Sequence, residues 1–329
     1  MLKLAVAGFR HPHIFELLQE AVAAPDCSVV ACCEEDPATR ETLRGNPLCA
    51  AIPLYDDYRT MLREADCDAV GLGDYYAKRG GMAIAALEAD KHVIADKPLC
   101  TDLAELAGIR TLAYERNRKV GLMLPLRSSG NTAAARNLIR EGKIGEVQAV
   151  SFTGQHPLNY GTRPGWYFEE GKQGGTINDI AVHGIDTVCF LTGMKFRSIA
   201  GARTWNGQFP EVPDFRNGGQ FLAVLDNLAG VTGDVSYFGL NQPVPSYWRF
   251  TVWGTRGWLE FNTHVPGVQL AVADTPVIQT VFPAPGLPDY RQEFLADIDG
   301  RPGDFATDYI LEISEWALRL QAAADASGR

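Results

Sequence analysis

Three side chains of this 329-residue chain, a lysine, an aspartate and a histidine, combine a type that moves protons with an informative position. Lys97 stands in Asp96-Lys97-Pro98, directly after the apolar run His92-Val93-Ile94-Ala95. Asp179 and His183 lie four residues apart, and residues four apart on a helix are surface neighbours. An imidazole titrates near neutrality, so His183 suits a general base that takes a hydroxyl proton. A lysine can hydrogen-bond the oxygen it leaves, and Asp179 can bind an adjacent hydroxyl or orient the ring. This spacing predicts a helix from about 176 to 192, closed by Gly193 as its C-cap. A second reading applies to the same stretch, because Thr176-x-x-Asp179 also fits a capping box with Asp in place of Glu.

Such groups act only where a fold holds them. From residue 2 to about 124, short apolar runs alternate with amphipathic segments, the pattern of βαβ units covering a parallel sheet on both faces. Strands are predicted at Leu2 to Ala7, Ser28 to Cys32, Ala69 to Leu72, His92 to Ala95 and Val120 to Met123, with helices at Pro37 to Arg44 and Gly80 to Ala89 among those between them. After Pro125 the pattern changes. A helix at Asn131 to Glu141 precedes strands with period-two alternation at Gln220 to Leu225, Gly230 to Tyr237, Trp248 to Trp253 and Trp258 to Phe261. Pro266 to Pro288 reads as loop or edge strand, and a final helix is expected at 304 to 323. The fold class is therefore α/β: a Rossmann doubly wound parallel sheet over 1–124, then an α/β domain with an open, mostly antiparallel sheet over 125–329. The last helix is a candidate for docking back on the first domain.

A Rossmann dinucleotide site needs a Gly-rich turn after the first strand, a helix N-terminus facing the pyrophosphate, and an acidic residue after the second strand for the ribose hydroxyls. Gly8 ends the first strand, but the second and third glycines of the fingerprint are replaced by Arg10 and His13. Glu34 ends the second strand and is followed by Glu35 and Asp36, whose charge would repel a 2′-phosphate and so favours NAD over NADP. The same acidic run also fits a helix start before Pro37. His11 and His13 read as a polar loop and helix start and not as metal ligands, since no Cys or carboxylate has a recognisable spacing to them. No metal is expected. Lys97, by its strand position, falls at the carboxyl edge of the sheet, where open α/β folds bind ligands. Together these features predict a nicotinamide-dependent oxidoreductase.

A net charge of −10 without a basic stripe argues against a nucleic-acid partner. The seven cysteines form no CxxC pair and read as buried free thiols of a reducing compartment. The N-terminal apolar run is too short for a secretory signal, and no run approaches the roughly 20 apolar residues of a membrane span. A cytoplasmic protein with no membrane partner is expected.

The chain resembles the Gfo/Idh/MocA family, the glucose-fructose oxidoreductase and inositol dehydrogenase group. The resemblance rests on Val30-Ala31-Cys32-Cys33-Glu34, on Ala86 to Val93 leading into Asp96-Lys97-Pro98 for the family's E-K-P, on Lys143-Ile144-Gly145-Glu146, and on Gly174 to Asp186 for its G-G-G...D-x-x-x-H-x-x-D segment. It implies NAD(P)-dependent oxidation of a sugar, cyclitol or related polyol, with Lys97, Asp179 and His183 as the catalytic set. It places the cofactor against Gly8, Phe9, Arg10, His11, Glu34, Asp74, Tyr75, Asp96 and Lys97. Arg127, Tyr160, Arg163, Trp166 and Asp186 are candidate substrate contacts, and a homodimer or homotetramer through the C-terminal sheet is implied. Two departures stand out. Gly73-Asp74-Tyr75-Tyr76 replaces the family's A-T-P-N, with Arg79 at its following His, and Asp74 beside a pyrophosphate requires a partner such as Arg10 or Arg79. The alternatives are a ligand-binding or regulatory member of the same fold that has lost its cofactor, or an NAD-assisted glycosidase.

Overall fold

The computed structural model describes residues 1–238, 248–275 and 277–327. The chain forms two compact units: Met1–Met123 with Pro164–Gly174 and Tyr290–Ser314, and Leu124–Arg163 with Gly175–Asp289 and Glu315–Arg329.

The first unit opens with β1 (Leu2–Ala7), α1 (Ile14–Ala23), β2 (Cys27–Cys33), α2 (Pro37–Arg44), β3 (Leu54–Tyr55) and α3 (Tyr58–Glu64). It continues with β4 (Ala69–Leu72), α4 (Tyr76–Glu88), β5 (His92–Ala95), α5 (Leu103–Glu115) and β6 (Val120–Leu122). The six strands pair in the order β3-β2-β1-β4-β5-β6, every pair parallel. This is the doubly wound order, and its direction reverses between β1 and β4, where such sheets open a ligand crevice. β4 is buried at every residue, as a strand covered on both faces must be. Asp36, with Pro37 behind it, caps α2 through Thr39 N–H, so the helix-start reading of the acidic run holds for Asp36.

The second unit contains α6 (Gly130–Arg140), β7 (Val147–Pro157), α7 (Val182–Thr192), β8 (Phe196–Trp205), β9 (Gly218–Leu225) and β10 (Gly230–Phe238). Beyond these run β11 (Arg249–Gly254), β12 (Gly257–Asn262), β13 (Val268–Val272) and β14 (Gln279–Val281). Its eight-stranded sheet runs β14-β13-β12-β11-β7-β10-β9-β8, antiparallel except for β7 with β10. The inner face presents Phe152, Phe221, Phe250 and Phe261, whose rings meet at 5.2–5.8 Å. α7 lies so close to β7 that a Cβ at Gly184 would come within 2.1 Å of the Phe152 ring. The region after Pro266 holds two strands, the second of them at the sheet edge as its composition suggests. α8 (Tyr290–Ile298) lacks a clear periodic signature and escapes the sequence reading, while α9 (Thr307–Ser327) is the expected final helix. Phe294 of α8 packs on Gly121 of β6 within the first unit.

Candidate active site

In the first unit the site is built where β1 and β4 diverge. Gly8 has φ +78°, and a Cβ there would lie 2.6 Å from the Asp74 Cβ, so only glycine fits this turn. Asp74 also lies in the left-handed region, at φ +74°, which short polar side chains tolerate best. The two turns are joined by Asp74 N–H donating to the Gly8 carbonyl at 2.9 Å. Arg10, the residue replacing the second glycine, grips the Asp74 carboxylate through Nε at 2.6 Å and Nη2 at 3.0 Å, and lies over the Tyr75 ring. Lys78 Nζ reaches the same carboxylate at 3.0 Å and Glu35 at 2.7 Å. The acidic intrusion at Asp74 is thus balanced locally, by Arg10 as anticipated and by Lys78, which the sequence did not single out.

Glu34 is fully buried. Its carboxylate accepts Phe9 N–H at 2.6 Å and Asp36 N–H at 2.8 Å, which places it on the turn after β1. Burial raises its pKa despite both hydrogen bonds. The three acidic residues have separate tasks: Glu34 faces the turn, Glu35 pairs with Lys78, and Asp36 caps α2. Gly8, the Phe9 backbone and Glu34 fit the turn and acid that a dinucleotide's pyrophosphate and ribose require, while Arg10 brings a guanidinium where the fingerprint has no side chain.

Arg79 organises the floor. Fully buried, it donates to the carbonyls of Gly73, Asp74, Asp96, Lys97 and Pro98 and pairs with the Asp96 carboxylate at 2.7 Å. Removing one partner of such a pair costs about 3–5 kcal/mol, because the other charge stays buried. Arg79 therefore acts on Asp96 and on the Asp74 carbonyl, and leaves the Asp74 carboxylate to Arg10 and Lys78. Lys97 is buried at the carboxyl end of β5, with Nζ 5.6 Å from the Tyr76 ring centre. His11 is buried too and hydrogen-bonds Asp96 through Nδ1. His13 Nδ1 lies 3.5 Å from the other Asp96 oxygen. His11, His13 and Asp96 thus bring three possible ligand atoms within 4.8 Å of one another, a convergence invisible in sequence because the carboxylate comes from the residue after β5, far along the chain.

In the second unit Asp179 sits in one turn of π-helix, Ile177–Ala181, which runs into α7 carrying His183. The continuous α-helix expected over 176–192 is therefore interrupted, and the four-residue facing argument does not transfer to a π turn, where the bonding step is longer. Nor does the capping box form. Thr176 makes no capping bond, and its hydroxyl instead donates to the Arg216 carbonyl. The start of the turn is held from α9, where Gln321 Oε1 accepts Ile177 N–H at 2.9 Å. Gly193 ends α7 in the left-handed conformation, as predicted.

Asp179 accepts a hydrogen bond from the Tyr237 hydroxyl of β10, and both residues are buried. His183 meets the Trp248 ring edge-on at 5.4 Å. Arg163 lies over the Tyr237 ring, and Arg127 Nε is 3.3 Å from buried Asp186, so two of the candidate substrate contacts, Arg127 and Asp186, pair with each other. Tyr160 instead packs on Phe209 at 5.0 Å. Trp166 groups with the first unit, where its Nε1–H donates to the Arg10 carbonyl at 3.1 Å. Tyr237 and Gln321 went unnoticed in the sequence because each is contributed by an element remote from the motif it supports.

Residues 4–123 match the oxidoreductase family with an NAD-binding Rossmann fold, and residues 132–260 match the Gfo/Idh/MocA C-terminal domain. The chain belongs to the Gfo/Idh/MocA oxidoreductase family. Relatives within it include a levoglucosan dehydrogenase of Pseudarthrobacter phenanthrenivorans, 29% identical over 54% of this chain and 46% of that protein. A dTDP-3,4-didehydro-2,6-dideoxy-alpha-D-glucose 3-reductase of Saccharopolyspora spinosa is 32% identical over 70% of this chain and 66% of that protein. The matched stretches span about half to two thirds of these curated relatives. The structure of a putative oxidoreductase from Erwinia carotovora atroseptica superposes with a TM-score of 0.87 at 24% identity, covering 98% of this chain and 99% of that one. This Gfo/Idh/MocA member thus has the fold and the NAD-binding architecture of the family, with sugar and polyol dehydrogenases among its relatives. Among the described residues, no helix is long and apolar enough to cross a membrane.

Proposed function

We propose that this Gfo/Idh/MocA protein is an NAD-dependent dehydrogenase acting on a CH–OH group of a sugar, cyclitol or related polyol. The observation that carries the reading is Lys97, buried at the carboxyl end of β5 on the sheet edge that also holds Gly8 and Glu34. Gly8, Phe9, Arg10, Glu34, Asp74 and Tyr75 would hold the cofactor, whose nicotinamide accepts the hydride when bound. Lys97 steadies the substrate oxygen. His183 accepts the hydroxyl proton, and Asp179, oriented by the Tyr237 hydroxyl, binds an adjacent hydroxyl. Positioning by these groups supplies most of the rate.

Among the described residues no cation forms an ion pair with the buried Glu34 carboxylate, whose oxygens accept the Phe9 and Asp36 N–H groups, and a carboxylate there would repel a 2′-phosphate, which supports NAD over NADP. Calorimetric titration of cofactor-stripped protein tests this. NAD should bind in the micromolar range, NADP more weakly, and Glu34→Ala should weaken NAD by about tenfold or more, as loss of a hydrogen bond to a charged group implies. Absence of binding by either dinucleotide would defeat the reading and favour a regulatory member with the turn closed by Arg10 and Asp74. With NAD binding established, Lys97→Ala should lower kcat on an accepted polyol by roughly 100-fold or more.

A further inference from the structure

His11, which the resemblance sets beside the cofactor, has no chemical role in the proposed reaction, yet its side chain is engaged on both ring nitrogens. His11 is 2% exposed, and its two ring nitrogens face different partners. Nδ1 meets Asp96, and Nε2 lies 3.3 Å from the Tyr76 hydroxyl, which in turn is 2.6 Å from the Tyr167 hydroxyl. One proton assignment satisfies the whole row. Nδ1–H donates to the carboxylate, Nε2 accepts from Tyr76, and the Tyr76 oxygen accepts from Tyr167. Asp96 is held ionised and fixed by Arg79, and burial holds His11 neutral, its pKa lowered to about 3. A neutral imidazole is what the assignment needs, since an imidazolium has no lone pair for Tyr76.

We propose that His11 is a positioning residue for hydride transfer, anchoring the aromatic segment Pro164–Gly174 beside Lys97 through the row Asp96, His11, Tyr76, Tyr167. The proposal rests on the dehydrogenase reading for its chemistry, and on geometry for its anchor. The segment touches the same unit at further points. Trp166 donates to the Arg10 carbonyl, Ala77 N–H donates to the Lys172 carbonyl at 3.1 Å, and Trp166 and Tyr167 stack at 4.0 Å with Tyr76 edge-on to both. Tyr76, on whose ring Lys97 Nζ sits, is the shared member, so the hydroxyl row that orders the segment also fixes the wall next to the lysine. A divalent cation bound by His11, His13 and Asp96 is the competing use of the same atoms. Arg79 opposes it by placing a positive charge on the carboxylate that would have to bind the ion.

The test compares wild type with His11→Ala and with Tyr167→Phe, which removes a single hydroxyl and leaves the ring to pack. Hydrogen exchange in 164–174, read by mass spectrometry without substrate, should quicken by about tenfold in His11→Ala and by less in Tyr167→Phe, with unchanged circular dichroism. In single-turnover reactions His11→Ala should slow hydride transfer by about tenfold while the NAD dissociation constant moves by less than about threefold. Unchanged exchange in both variants overturns the anchor, as does unchanged hydride transfer in a variant whose segment has loosened. Stoichiometric zinc or cobalt binding that His13→Ala abolishes also overturns it, because Nδ1 would then serve the metal. If wild type transfers no hydride to NAD from any polyol, the dehydrogenase reading fails, and the exchange result still decides the anchor.

Discussion

At the scale of single residues, the replacements in the glycine turn come with partners. Arg10 meets Asp74, and His13 lies 3.5 Å from the Asp96 carboxylate that Arg79 holds, so the departures that read in sequence as losses are paired in space. His11 carries a pH dependence whose sign follows from linkage. Its folded pKa lies below its unfolded value, so the unfolded chain binds the extra proton and stability falls as pH drops through about 6.5 toward 3. Relative to pH 7.5, the loss at pH 5 from this one group is about 2 kcal/mol. Urea midpoints at the two pH values should therefore differ less in His11→Asn than in wild type. Asp96 is depressed, chiefly by Arg79, and its stabilisation is lost only below the normal carboxylate range, in a separate and more acid window. If Asp179 binds a substrate hydroxyl as proposed, Tyr237→Phe should lower kcat/KM by about tenfold with little change in NAD affinity, since it removes the hydrogen bond that orients the carboxylate.

At the scale of elements, the π turn shows why the helix around Asp179 was only half legible. The four-residue spacing of Asp179 and His183 and the Gly193 stop read as one α-helix, but the local register is set by Gln321 and Arg216, neither of which is near in the chain. Such turns interrupt α-helices frequently at functional sites. Gly184 was readable only as a helix residue of low propensity. In the fold it is the contact that lets α7 approach β7, and Gly184→Val should cost several kcal/mol through overlap with Phe152, read as a fall in the urea midpoint. Strand periods in β9 through β12 were legible because each strand buries one face, whereas α8 and the short β3 carry too few periodic residues to stand out.

At the scale of the whole molecule, the outer face of the eight-stranded sheet carries exposed apolar residues. Leu222 and Trp253 stand about half exposed on it, and a row of pairs, Leu222 with Thr232, Thr232 with Ser151 and Ser151 with Thr251, runs across one side. Exposed large apolar residues on such a face suit contact with a second copy. If the implied homo-oligomer uses this sheet, Leu222→Glu should shift the mass measured by analytical ultracentrifugation toward the monomer while leaving the melting temperature of the monomer nearly unchanged.

Local pattern was enough for the α/β class, for the strands of the first sheet apart from β3 and for the β9–β10 and β11–β12 hairpins, and it singled out Glu34, Lys97, Asp179 and His183 as candidates. Those conclusions rest on spacing and periodicity, which neighbouring residues in the chain define by themselves. Only tertiary structure decided that Arg10 answers Asp74, that Arg79 holds Asp96, that Tyr237 and Gln321 serve the Asp179 turn, and that His11 joins two tyrosines. Each of these depends on side chains brought together from distant elements, and burial, which makes a missing partner expensive, is what selects the pairing.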